Sequence, residues 1–78
     1  MRNARNPAIV RCVLVGNDPA RRAVHIHQKQ ERNRFVDIWI SRSQIDAILL
    51  QGFDLDKNQL AEIEIPVWLA EKEELDYK

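Results

Sequence analysis

A chain of 78 residues with equal numbers of acidic and basic side chains is read as one small domain, and its size leaves little room for an enclosed active site. A domain near this length buries only about 60–65% of the surface its unfolded chain exposes, so a partner or a second copy would add useful burial. Cys12 is the sole cysteine, which excludes an intramolecular disulfide, and no apolar run is long enough for a membrane-spanning helix.

Arg2 and Arg5 precede an apolar stretch, but Arg11 interrupts it before it reaches the ~7–15 residues of a signal-peptide core. Residues 1–7 read as a flexible N-terminal arm on a single domain spanning 1–78, and the protein is expected to be soluble and intracellular. Residues 8–15, "AIVRCVLV", are rich in β-branched side chains and predict a first strand that ends at the turn cluster Gly16, Asn17, Asp18, Pro19. Within it Cys12 alternates with Val10 and Leu14, the pattern of a buried, inert thiol.

Residues 23–28 predict a second strand, with Val24 and Ile26 on one face and Ala23, His25 and His27 on the other. Residues 28–34 contain no apolar side chain and read as a charged hairpin loop. A third strand over 35–40 turns Val36, Ile38 and Ile40 inward, which leaves Phe35, Asp37 and Trp39 sharing the opposite face. Two aromatics on that face mark either a second buried layer or an exposed binding platform, and burial is the preferred reading.

After Ile40 the pattern changes. Ser43 with Asp46 resembles a weak capping arrangement; Ile45, Ile48 and Leu49 have helical spacing, and Gly52 would stop such a helix. A strand over 45–51 fits equally well. Residues 54–59, "DLDKNQ", begin like a calcium-binding loop, but Gln59 stands where that loop needs Gly and Ile65 where it needs Glu, so the segment is a turn. Residues 60–65 alternate Ala61, Ile63 and Ile65 with Glu62 and Glu64, a half-buried strand. Pro66 suits the start of a helix over 66–77 with Trp68, Leu69 and Leu75 toward the sheet, its acidic end opposing the helix dipole. The fold class expected is α+β: a small antiparallel sheet or partly closed barrel of four to five strands with a C-terminal helix.

Chemical signatures are few. His25 and His27 place two imidazoles on one strand face, but no third side chain has ligand spacing to them, so no metal is expected; the pair could tune an interface near pH 6–7. Ser41 and Ser43 sit in no nucleophile motif, and neither glycine belongs to a phosphate-binding loop. No catalytic residue and no cofactor is expected, and the chain is not read as an enzyme.

Charge is unevenly spread. Basic residues dominate up to Gln44 and acidic ones from Ile45 onward, a polarity that marks an interaction surface or simply two halves that neutralise each other in the fold. Arg32, Arg34, Phe35, Trp39 and Arg42 combine cations with aromatics, the pairing that binds single-stranded nucleic acid by stacking and phosphate contact. Glu62, Glu64, Glu71 and Glu74 form a candidate acidic face that would mimic nucleic acid against a basic partner.

Two segments also resemble a pattern found in short phage and prophage accessory proteins. "WISRSQI" over 39–45 is similar to their "W-L-P-K-S-Q-I", and "IPVWLA" over 65–70, with Lys72 and Leu75, is similar to "I-P-E-W-L-A-x-x-K-x-L". Ser41 replaces the usual Pro and Val67 the usual acid, and residues 1–30 lie outside the match. The resemblance implies an accessory protein of the kind encoded near recombination or anti-defence genes, acting in the cytoplasm of a bacterial host. It supplies no catalytic residue. The leading expectation is therefore a non-catalytic interaction protein that binds a host protein complex, for example an anti-CRISPR-like inhibitor of a defence complex. The alternatives are an accessory single-stranded nucleic-acid binder and a structural dimerisation module forming a homodimer, and none of the three involves a membrane.

Overall fold

The computed structural model describes residues 7–78; residues 1–6, most of the expected N-terminal arm, lie outside the described residues. The elements are β1 (Ala8–Gly16), β2 (Ala23–Lys29), β3 (Phe35–Ser41), β4 (Ala47–Phe53), β5 (Gln59–Ile65) and α1 (Val67–Lys72). All strand pairs are antiparallel, and the sheet order is β3-β2-β1-β5-β4.

Alternation along each strand decides which face is apolar. Register sets Val10 opposite Ile63, Cys12 opposite Ala61, and Val24 opposite Ile40, so the buried side chains of all three pairs share one side of the sheet. Leu69, Ala70 and Leu75 cover that side. Ile26, Ile63, Ile65, Val10 and Val24 are fully buried there, each worth about 1.5–3 kcal/mol of hydrophobic stabilisation.

The edges of the sheet, β3 and β4, are joined by a 3-10 turn (Arg42–Gln44) plus Ile45 and Asp46. Six residue steps reach at most about 21 Å. A flat sheet would need about 19 Å for its width alone, and Ser41 and Ala47 are also far offset along the strand axis, one level with Ala23 and the other with Glu64 and Ile9. The sheet therefore curls around its apolar side. It does not close, since no ladder joins β3 to β4. The partly closed barrel is corrected to an open curled sheet whose concave side is filled by Leu69, Ala70 and Leu75.

Residues 47–53 are a strand, not the helix their spacing allowed, because β5 offers a partner: Ile48 pairs with Ile63 and Leu50 with Ala61. Gly52 stops no helix; it sits at φ 83° in the irregularity between Leu50 and Phe53. Ser43 caps nothing, its hydroxyl meeting that of Ser41 at 2.9 Å. The turn after β4 is held by Asp54, whose carboxylate accepts from the backbone N–H groups of Asp56 and Asn58, both at 2.9 Å. The backbone bond from Asn58 holds that carboxyl below the usual range.

α1 is shorter than the sequence suggests. Pro66 precedes it as the N-cap, its carbonyl accepting from Leu69 and Ala70, and the helix ends at Lys72 instead of reaching 77. With Leu69 and Ala70 inward, Trp68 lies about 100° round the helix from Leu69 and points outward, exposed, so its expected packing on the sheet is corrected. Glu74 at φ 57° then reverses the chain. The last residues run back beside β1, where the Ile9 N–H donates to the Lys78 carbonyl at 3.2 Å and the Lys78 N–H to the Ile9 carbonyl at 3.0 Å.

Gln28 secures this return. It is the buried polar side chain of the core region, and its Nε2 donates to the carbonyls of Arg11 and Asp76, both at 2.9 Å. Its Oε1 accepts from the Asp76 N–H at 2.8 Å and from Gln30 Nε2 at 2.9 Å. The paired register of β1 and β2 spans Val13 to Gly16 on β1, and the terminal residues occupy the space beside the start of that strand.

Candidate functional site: the open face of the sheet

The convex side of the sheet faces away from α1. Alternation places Phe35, Asp37 and Trp39 of β3 there, opposite Lys29, His27 and His25 of β2 in register. The cross-strand neighbours interact closely. The His25 ring stacks on Trp39 with centroids 4.6 Å apart and planes 19° apart, and His27 tilts over Phe35 at 5.2 Å. The Arg21 guanidinium, from the β1–β2 connection, lies 5.9 Å from the Trp39 ring centre.

Asp37 sits between the two imidazoles. Its carboxylate bonds His25 Nε2 through Oδ1 and His27 Nδ1 through Oδ2 at 3.4 Å. An ionised carboxylate only accepts, so each histidine presents a protonated nitrogen to it. The hydrogen bond from His25, seconded by His27, holds the Asp37 carboxyl below the usual carboxylate range. The rings flanking the two aromatics are thereby fixed in place by one charge.

Trp39 is 53% exposed and Phe35 57%. The burial expected for these two residues is overturned: α1 covers the other side, and among the described residues nothing lies over this one. A shallow groove continues from them across the sheet, lined by Arg11, Val13, His27, Leu60 and Glu62 among others. Arg11 and Glu62 pair across it at 3.3 Å.

Of the five residues expected to bind single strands, the structure gathers Phe35 and Trp39 on this face. Arg32 is exposed in the β2–β3 connection, and Arg34 is paired with Glu74 at 2.9 Å. Three bonds tie Arg42 to the fold at the surface: Nε donates to the Arg21 carbonyl, and Nη2 to Asn17 Oδ1 and the Asp18 carbonyl, all at 2.8 Å. Arg42 clasps the β1–β2 connection. The cation beside Trp39 is Arg21, from the β1–β2 connection, and the one opposite Phe35 is Lys29, which strand register signals; neither belongs to the expected set of five.

The four glutamates are not brought onto one face. Glu62 and Glu64 alternate with buried Ala61, Ile63 and Ile65 and so lie on the open face. Glu71 belongs to α1, where it accepts from the Tyr77 hydroxyl at 2.9 Å, and Glu74 follows the helix in its pair with Arg34.

Among the described residues no group of three or more His, Cys, Asp or Glu side chains is placed to hold a metal ion. The Cys12 thiol is buried, which pushes its pKa up to about 11 and keeps it protonated at neutral pH. Among the described residues no helix is long and apolar enough to cross a membrane. No protein family, curated protein or solved structure matches the chain.

Proposed function

We propose that this chain is a non-catalytic binding module that docks a protein partner on the open face of its sheet, with Trp39 and Phe35 as anchors. The observation that carries this reading is the pair of half-exposed aromatic rings, each braced by an imidazole that Asp37 holds in place. Large aromatics dominate interface energetics, and anchors that are already rigid lose less side-chain freedom on binding. Charges of both signs interleave on the face, through Arg11 with Glu62 and Asp37 with Lys29 nearby, which suits a protein surface better than a phosphate backbone. The resemblance to phage accessory proteins extends the proposal to a host complex as partner, with inhibition of a defence complex as its concrete form.

A second reading, binding of single-stranded nucleic acid, is favoured by one observation: Arg21 beside Trp39 and Lys29 opposite Phe35 set cations next to exposed rings. One experiment separates the two. Tagged protein is used to capture partners from bacterial lysate with and without nuclease, in parallel with a Phe35→Ala/Trp39→Ala variant and a Glu71→Lys/Glu74→Lys variant. The proposal expects a protein complex retained after nuclease, reduced at least about tenfold by the aromatic double variant and unchanged by the glutamate variant. Retention lost only in the glutamate variant would overturn the choice of face. Partners lost entirely on nuclease digestion would support the second reading.

A further inference from the structure

The two edges of the sheet differ in a way that points to a second interface, separate from the open face. β3 carries the charged Asp37 at its centre and is flanked by Arg34 and Arg42. β4 has no charged residue at all along "AILLQGF". It is nonetheless an edge, with β5 on one side and, among the described residues, no strand on the other. Natural sheets blunt such edges with charge, proline or a bulge, because the free N–H and C=O groups template further pairing. Within β4 the device present is the irregularity at Gly52, with Asp46 and Asp54 just beyond the strand's ends, which leaves residues 47–51 able to pair.

The side chains along this edge are unusually bare. Leu49 is 49% exposed, Leu50 61%, Phe53 67% and Leu55, at the tip of the β4–β5 turn, 101%. Leu50 faces the core side opposite Ala61, so the apolar layer runs out to the edge of the sheet without a cover there. α1 packs chiefly on β1.

We propose that β4 is the interface of a two-fold homodimer, in which the β4 strands of two copies pair antiparallel and continue the two sheets into one. Self-pairing suits this strand on charge: a two-fold axis at Leu49, the centre of residues 47–51, sets Asp46 opposite Gly52 and no like charges opposite each other. The same operation at β3 would bring two Asp37 carboxylates onto neighbouring positions. The exposed parts of Leu49, Leu50, Phe53 and Leu55 offer at most roughly 500 Å² of apolar surface per copy, below the ~800 Å² per partner of a standard interface and in the range of a weak, concentration-dependent dimer. The assembly is closed, because the pairing consumes β4 in both copies and leaves the charged β3 edges outermost.

The test is light scattering of the full chain over a concentration series, combined with amide hydrogen exchange. The expected result is a mass that doubles with concentration while the amides of residues 47–51 become slower to exchange. A Leu50→Lys/Phe53→Lys variant should weaken the dimer by about tenfold or more. A wild-type chain that stays monomeric, or a dimer whose β4 amides exchange equally fast at every concentration, would overturn the proposal. So would a dimer undone by Trp39→Ala and untouched by the β4 variant, which would move self-association to the open face. Protection of β4 that arises only when a different protein is added would assign the edge to a foreign strand and also count against it. The exchange measurement on wild type decides the matter even if the lysine variant fails to fold.

Discussion

Asp37 organises the open face from a single position. The carboxylate receives both imidazoles, and each imidazole in turn supports an aromatic ring, so one residue governs the posture of four others. Its pKa is depressed in the folded state, chiefly by the hydrogen bond from His25. A carboxyl of that kind contributes stability that is fully present above its unfolded value, about pH 4, and is lost as pH falls through the lower folded value. Asp37→Asn is therefore expected to be less stable than wild type at pH 5 and above, with the difference shrinking as the pH drops below about 4. Urea denaturation of both proteins across that range measures the gap; a constant gap would mean the histidine contacts carry no linkage. Chain order gave no direct sign of this arrangement. His25 and His27 read as a pair and Asp37 as one charge on the next strand. Only the register between β2 and β3 sets His27 directly across from Asp37.

Gln28 is the other residue whose role was hidden. In the sequence it opens a run of polar side chains, yet it is buried and satisfies three backbone groups that no strand partner reaches. Gln28→Leu keeps the volume but leaves those groups unpaired, and each such loss costs about 1–3 kcal/mol. A drop of roughly 2–4 kcal/mol in unfolding free energy is expected by urea titration, some of the groups turning to water. An effect below about 0.5 kcal/mol would show that the terminal residues hold to β1 without it.

Among the elements, β2 and β5 were legible because their alternation of apolar and polar side chains admits one reading each, and β1 and β3 because their β-branched and aromatic runs end at polar turn segments. β4 was not. Ile45, Ile48 and Leu49 fit a period of 3.6, and the exposed Leu49 and Leu50 blur any alternation, so the matter is settled by pairing with β5. α1 misled in the opposite direction, since residues 73–77 include good helix formers. They leave the helix because Leu75 is drawn into the core and Lys78 into hydrogen bonds with Ile9. Gly52 gives a direct check on β4. A Cβ there would meet nothing within 4 Å, so the cost of Gly52→Ala comes from its φ of 83° alone. That cost should be about 1 kcal/mol, read from the shift in denaturation midpoint; a neutral result would mean the strand end relaxes freely.

At the scale of the whole molecule, the sequence identified the aromatic face but not its exposure. Alternation says that Phe35 and Trp39 lie opposite the core; whether anything covers them depends on where the C-terminal segment packs, and that segment packs on the other side. Openness was hidden for a related reason. Closure of a curled sheet depends on the offset between its first and last strands, which no single segment encodes.

The return of the chain end to β1 also sets the order of events during synthesis. β1 leaves the ribosome first among the strands but is the central one, and its late partners are β5 on one side and the residues around Lys78 on the β2 side. The β2–β3 hairpin can form as soon as it emerges, whereas Ile9 waits for residues almost seventy positions later. At about 5–20 residues per second, that wait lasts seconds, with the apolar side of the early strands uncovered. A pause in translation before α1 would prolong the one period in which this small domain has strands but no lid, the period in which a chaperone or an unwanted neighbour would find it.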